Sequence, residues 1–187
     1  MHCSASDAEL PGAVTEMDLY AGKGLTYAHY KGQPVIPFGF GLSYTSFAFS
    51  NLKLNTTSIS ACESVGVTVD VTNTGAVPSD EVVQVYVTMP HATVPAPRVR
   101  LADFEREYNI APGATATVSL TVAPQSHSVV RDGGGNGGNS FWHPTVEVEA
   151  GDFLVHVGGG QPGFTAGVLN ATVSVAQAGA LTASFGC

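Results

Sequence analysis

The sequence predicts an all-β protein, an antiparallel β-sandwich carrying an extended N-terminal arm. Three observations predict it. From Phe47 onward apolar residues recur at every second position, the period of a strand with one buried face. The 22 glycines and 11 prolines favour many short strands joined by turns, and the composition, 44% hydrophobic with only 12% charged, suits a packed core. No helical periodicity is signalled.

Residues 1–46 show no sustained alternation and are broken by Pro11-Gly12, Gly22, Gly24, Gly32, Pro34 and Pro37, so they read as an extended connector. The first strand begins at Phe47, with Phe49, Leu52 and Leu54 in a spacing that implies a bulge. Val65, Val67, Val69 and Val71 alternate with Gly66, Thr68, Asp70 and Thr72 in the second strand, which Asn73-Thr74-Gly75 then turns. The third holds Val83, Val85, Val87 and Met89, with Val82 and Tyr86 on its other face, so both faces are expected to be covered. Three more follow, over 99–108, 115–122 and 145–149, then one through Phe153, Val155 and Val157 and a last through Ala171, Val173 and Val175. About eight short strands separated by turn signals form the pattern of an immunoglobulin-like sandwich. The sandwich is expected over 47–178, with 179–187 a C-terminal tail.

The most specific stretch is Pro37-Phe38-Gly39-Phe40-Gly41-Leu42-Ser43-Tyr44-Thr45-Ser46-Phe47, where rings alternate with glycines on a backbone able to turn sharply and approach another surface. Downstream come Val69-Asp70-Val71-Thr72-Asn73-Thr74-Gly75, Asp80-Glu81-Val82-Val83-Gln84-Val85-Tyr86-Val87, Leu101-Ala102-Asp103-Phe104-Glu105-Arg106, Ala111-Pro112-Gly113 and Glu149-Ala150-Gly151-Asp152-Phe153. In this order they resemble the C-terminal fibronectin type III-like domain of glycoside hydrolase family 3 β-glucosidases and β-xylosidases. The resemblance implies a parent enzyme of carbohydrate metabolism, whose catalytic β/α barrel and α/β domain are the partners of this chain. It also implies that Tyr27, Phe38, Phe40 and Tyr44 pack between domains.

That family holds its nucleophilic aspartate near a Ser-Asp-Trp-like motif on the barrel. Here the single tryptophan, Trp142, follows Ser140-Phe141, and the Ser-Asp pairs ending at Asp7 and Asp80 continue into Ala8 and Glu81. No catalytic residue is therefore carried over, and 187 residues are too few for a barrel of about 250. Retaining glycosidases need two carboxyls facing across a partly dry cleft. Glu105 with Glu107, and Glu147 with Glu149, have a plausible separation but lie on alternating strands that read as solvated faces.

The 6 histidines are scattered singly, and the 3 cysteines, Cys3, Cys62 and Cys187, show no Cys-x-x-Cys spacing, so neither metal nor cofactor is expected. A disulfide between Cys62 and Cys187 fits their positions near strand ends and would leave Cys3 over, though distance is not legible in sequence. Asn55-Thr56-Thr57 and Asn170-Ala171-Thr172 fit the N-glycosylation pattern, and both sites favour a secreted, extracellular or vacuolar setting for the parent. The glycine-rich run 132–139 lacks the Lys-Ser/Thr of a phosphate loop and reads as an inter-strand loop.

A formal net charge of -8 argues against nucleic acid and anionic membrane partners. No apolar run reaches the 18 or so residues of a membrane span, and Met1-His2-Cys3-Ser4 opens no signal peptide, so an exported parent is expected to carry its signal upstream. The alternative function is an independent carbohydrate- or cell-wall-binding module. In that case Tyr86, Tyr108, Phe141 and Trp142 would stack on the sugar rings of a polysaccharide.

Overall fold

The computed structural model of the chain describes residues 19–131 and 145–181. Its strands are β1 (Phe47–Leu54), β2 (Ser58–Ser60), β3 (Val65–Asn73), β4 (Ser79–Thr88), β5 (Arg100–Ile110), β6 (Thr115–Val122), β7 (Ser128–Arg131), β8 (Thr145–Val148), β9 (Gly151–Gly158), β10 (Leu169–Gln177) and β11 (Gly179–Leu181). A one-turn helix, α1 (Thr26–His29), and a 3-10 turn at Pro124–His127 complete the described elements.

Two layers carry the fold, a sheet of order β1-β3-β6 and one of order β2-β10-β9-β4-β5, with a third small sheet β11-β8-β7. The alternation of β3 is strict, and Val65, Val67, Val69 and Val71 are at most 1% exposed. They meet Val83, Val85 and Val87 of β4, Val118, Leu120 and Val122 of β6, and Phe153, Val155 and Val157 of β9 in one core. Burying these side chains is the main driving force of the domain, at roughly 1.5–3 kcal/mol each before chain entropy is subtracted. The expected bulge in β1 falls between Ser50 and Lys53. There Asn51 takes a left-handed φ of 54° and its Nδ2 donates to Asp70 Oδ2 at 2.7 Å.

Three strands lie outside the sequence reading. β2, β7 and β11 have 3, 4 and 3 residues, too few for a period of two to show itself. β11 falls inside the stretch expected to be a tail, where it pairs with β8 and buries Leu181. β2 adds to the edge of β10 in parallel, the one parallel pair among the described strands.

The arm also departs from expectation. Its described part, 19–46, includes α1 and folds back on the sandwich instead of running free. Arg98 anchors it, donating through its backbone N to the Ala28 carbonyl at 2.8 Å and through Nη1 to the Tyr30 carbonyl at 2.7 Å. Tyr30 and His29 are buried as a result. Backbone polar groups that leave water need such partners, and these come from a loop 68 or more residues away, invisible to local patterning.

Candidate docking face

The site that the fold builds is the outer face of β4 and β5, with the arm laid across it. Cross-strand register places Gln84 opposite Phe104 and Val82 opposite Arg106, so these side chains share the face turned away from the core. Gln84 and Tyr86 would be solvated there, but the arm covers them to 6% and 0% exposure. Gln84 Nε2 donates to the carbonyls of Gly39 at 3.0 Å and Gly159 at 3.3 Å, while its Oε1 accepts from the Tyr86 hydroxyl at 2.6 Å. Burial pushes the Tyr86 phenol well above its ordinary pKa, so it stays a neutral donor. The covered second face expected for this strand is thus supplied by the chain's own arm.

Gly39 is what allows the approach. Its φ of +77° is left-handed, and a Cβ there would meet the Gln84 Oε1 and lie 2.7 Å from the Tyr86 hydroxyl. Gly39→Ala is expected to cost about 1–3 kcal/mol of local stability and to raise the rate of tryptic cleavage after Lys31 by roughly tenfold or more. Unchanged cleavage would show that the arm is held by other means.

The four arm residues expected to pack between domains divide into two pairs. Tyr27 and Phe38 stack on each other with ring centroids 3.9 Å apart and planes 12° from parallel, and the Tyr27 hydroxyl accepts from Leu101 N at 3.1 Å. Their contacts lie within this chain. Phe40 and Tyr44 turn outward, at 55% and 96% exposure, and are joined by Leu42 at 92%. Across a groove of about 470 Å³ stands Phe104 of β5, 60% exposed, with Val82 and Leu101 in the floor.

The groove has a polar rim. Arg106 Nε lies 3.3 Å from Asp80 Oδ2, and its guanidinium carbon sits 5.6 Å from the centre of the Tyr108 ring. Asp80 also accepts from Asn109 N at 2.9 Å. Glu81 lines the groove beside Gly159, and burial pushes its carboxyl up to about 7. Exposed apolar side chains clustered inside a charged rim are the signature of a contact surface. Phe104 and Leu42 belong to quoted motifs, yet only the register and the fold of the arm bring them together.

The other sequence candidates lie elsewhere. Tyr86, expected as a sugar-stacking ring, is fully buried and cannot serve as one; its hydroxyl needed a partner and found Gln84. Tyr108 is 68% exposed beneath Arg106. Phe141, Trp142 and Cys187 lie outside the described residues. Cys62 is disulfide-bonded, to a partner that also lies outside them. Glu147 and Glu149 both pair with Arg131, Glu147 at 2.7 Å, and Glu149 is further held by Thr93. Such pairing makes them structural carboxylates. Glu107 stands opposite Glu81, and Glu105 opposite Val83.

Two facing sheets of antiparallel strands around one valine-rich core define an immunoglobulin-like β-sandwich, and residues 81–161 match the model of the family described as fibronectin type III-like domain. The chain is 48% identical over 100 residues to a β-xylosidase of Formosa agariphila, covering 54% of this chain and 14% of the relative. It is 32% identical over 151 residues to thermostable β-glucosidase B of Acetivibrio thermocellus, covering 79% of this chain and 19% of the relative. Among solved structures, β-glucosidase 3B of Thermotoga neapolitana in complex with glucose superposes with a TM-score of 0.65 at 28% identity, covering 82% of this chain and 19% of that one. The chain resembles the C-terminal fibronectin type III-like domain of the glycoside hydrolase family 3 β-glucosidases and β-xylosidases, and it spans less than a fifth of the length of these relatives.

Proposed function

We propose that this chain is the accessory domain of a family 3 glycosidase acting on β-linked glucosides or xylosides, and that it docks on the catalytic domains through Phe40, Leu42, Tyr44 and Phe104. The observation that carries the reading is the division of one short segment into two halves. Phe38 and Gly39 are committed to the domain's own sheet, while the next rings stand in solvent at more than half exposure. Exposing them in a finished protein would be costly, and the relatives are five or more times longer than the stretch matched here. The role is to bury the seam and stabilise the enzyme body, with no group of this chain in the chemistry. A disulfide-bonded Cys62 supports an exported parent, extracellular or vacuolar.

The test is a graft of this chain in place of the matching domain of the Acetivibrio thermocellus β-glucosidase B. Phe40→Asp with Leu42→Asp is expected to lower the Tm of the graft by several degrees while leaving the melting of the separate chain unchanged. Equal Tm values for both grafts would refute the docking face. Hydrolysis of an aryl glycoside by the separate chain would refute the accessory role.

A further inference from the structure

The docking groove holds one charge that no other group of the described chain answers. Asp80, Glu81 and Arg106 are the charged residues of its lining. Arg106 is committed to Asp80 at 3.3 Å and to the Tyr108 ring, so those two charges offset each other. Glu81 has no such companion. Its Oε1 lies over the backbone of Gly159, where a Cβ would come within 2.6 Å of it and 3.5 Å of the Phe49 ring. Glu107 stands directly across from it in the β4-β5 ladder and brings a second carboxylate, not a counter-charge. The arm on the other side of the groove, Phe38 to Ser43, carries no charged residue. Among the described residues no hydrogen bond or cation reaches the Glu81 carboxyl, and burial alone raises its pKa to about 7.

The walls around this carboxyl are apolar. Phe40 and Phe104 stand more than half exposed, with Leu42 beside them. A partner that covers them strips the remaining water from Glu81, and a dehydrated carboxylate requires either a counter-charge or a proton. Two features favour the counter-charge. A guanidinium stacks on aromatic faces and also pairs with a carboxylate through two parallel N–H bonds, so one side chain suits both the rings and the acid. The chain moreover carries a formal net charge of -8, which draws a basic surface toward it.

We propose that the segment of the catalytic body seated in this groove presents an arginine, whose guanidinium packs against the Phe40 and Phe104 rings and pairs with Glu81. The inference rests on the docking reading given above and adds the chemistry of the partner. An ionised Glu81 is then a burden to the separate chain and an anchor in the assembled enzyme. Removing its charge therefore acts with opposite signs in the two settings.

The test is Glu81→Gln at pH 8, in the separate chain and in the graft of this chain onto the catalytic body of the Acetivibrio thermocellus β-glucosidase B. Glutamine keeps the shape of the side chain and can donate as a protonated carboxyl does, so the change removes the charge alone. The separate chain is expected to gain about 2 °C or more in Tm, and the graft to lose at least as much. A graft whose Tm holds or rises with Glu81→Gln, while Phe40→Asp with Leu42→Asp still lowers it, leaves the docking face standing and overturns the arginine; Glu81 then enters the seam protonated. If the double aspartate variant leaves the graft unchanged, the docking face fails and this inference falls with it. A lower Tm of the separate chain would show that the charge serves the chain's own fold, and that too would overturn the proposal.

Discussion

Replacing Asn73 by alanine is expected to lower stability by about 4 kcal/mol, a fall in Tm of roughly 10 °C or more. The side chain is fully buried at the end of β3, yet every polar atom on it is used. Its Nδ2 donates at 2.8 Å to the carbonyls of both Val77 and Ile110, and its Oδ1 accepts from Gly75 N at 3.0 Å and Thr45 Oγ1 at 2.7 Å. One amide thus brackets the end of the arm, the turn after β3 and the end of β5. Truncation leaves a buried carbonyl at Ile110 without its partner, and unmade bonds of that kind cost about 1–3 kcal/mol each. Asn73→Asp should be at least as damaging, because it forfeits both donated bonds and places a charge in a dry corner. Thermal melts of both variants against the parent decide the matter; losses under about 1 kcal/mol would show that the bracket is dispensable.

The second large effect is a pH dependence centred on His127. The ring is buried, stacked on Phe153 with centroids 4.4 Å apart, and among the described residues neither nitrogen has a partner at full hydrogen-bond geometry. Burial, with the nearby Arg100 guanidinium adding to it, pushes its pKa down to about 4. Arg100 stands there because its Nη1 caps the 3-10 turn, donating to the carbonyls of Gln125 at 2.6 Å and Ser128 at 3.1 Å. Between pH 6.5 and 4 the unfolded chain therefore binds a proton that the folded chain refuses. The contribution of His127 is fully present above pH 6.5 and is lost as pH falls toward 4, in total roughly 3 kcal/mol.

Glu81 acts in the opposite sense. Its carboxyl is raised to about 7, so its contribution is present below pH 4.5 and fades as pH rises through 7. The two opposing slopes flatten the curve of the parent protein between pH 4.5 and 6.5. His127→Phe keeps the stacking ring and removes one slope. The stability of this variant relative to the parent is expected to grow by roughly 3 kcal/mol between pH 7 and pH 4, read by urea unfolding at each pH. A difference that stays constant within 1 kcal/mol across that range would contradict the account.

Much of the sandwich was legible in the sequence because a half-buried strand writes its period into its residues. Val65 to Val71, Thr115 to Val122 and Phe153 to Val157 each announce an inward face, and the core consists of those side chains. Asn73 was legible as a turn signal but not as a bracket, since its four partners come from positions up to 37 residues away. The short strands β2, β7 and β11 were not legible, for a run of 3 or 4 residues has no measurable period and is held by its neighbour's ladder.

By itself the sequence determined the all-β class, the order of the long strands, the absence of the family's catalytic motif from this stretch and the presence of a ring-rich segment at 37–47. Only the tertiary structure decided which rings face where. Phe38 and Phe40 are two residues apart and chemically alike, yet one stacks on Tyr27 and the other stands in solvent. The glycines between and beside them leave the backbone free of any preferred alternation. The choice is made by where the Gln84 amide and the Leu101 N–H wait on the sheet for partners, and those positions exist only after distant strands have paired.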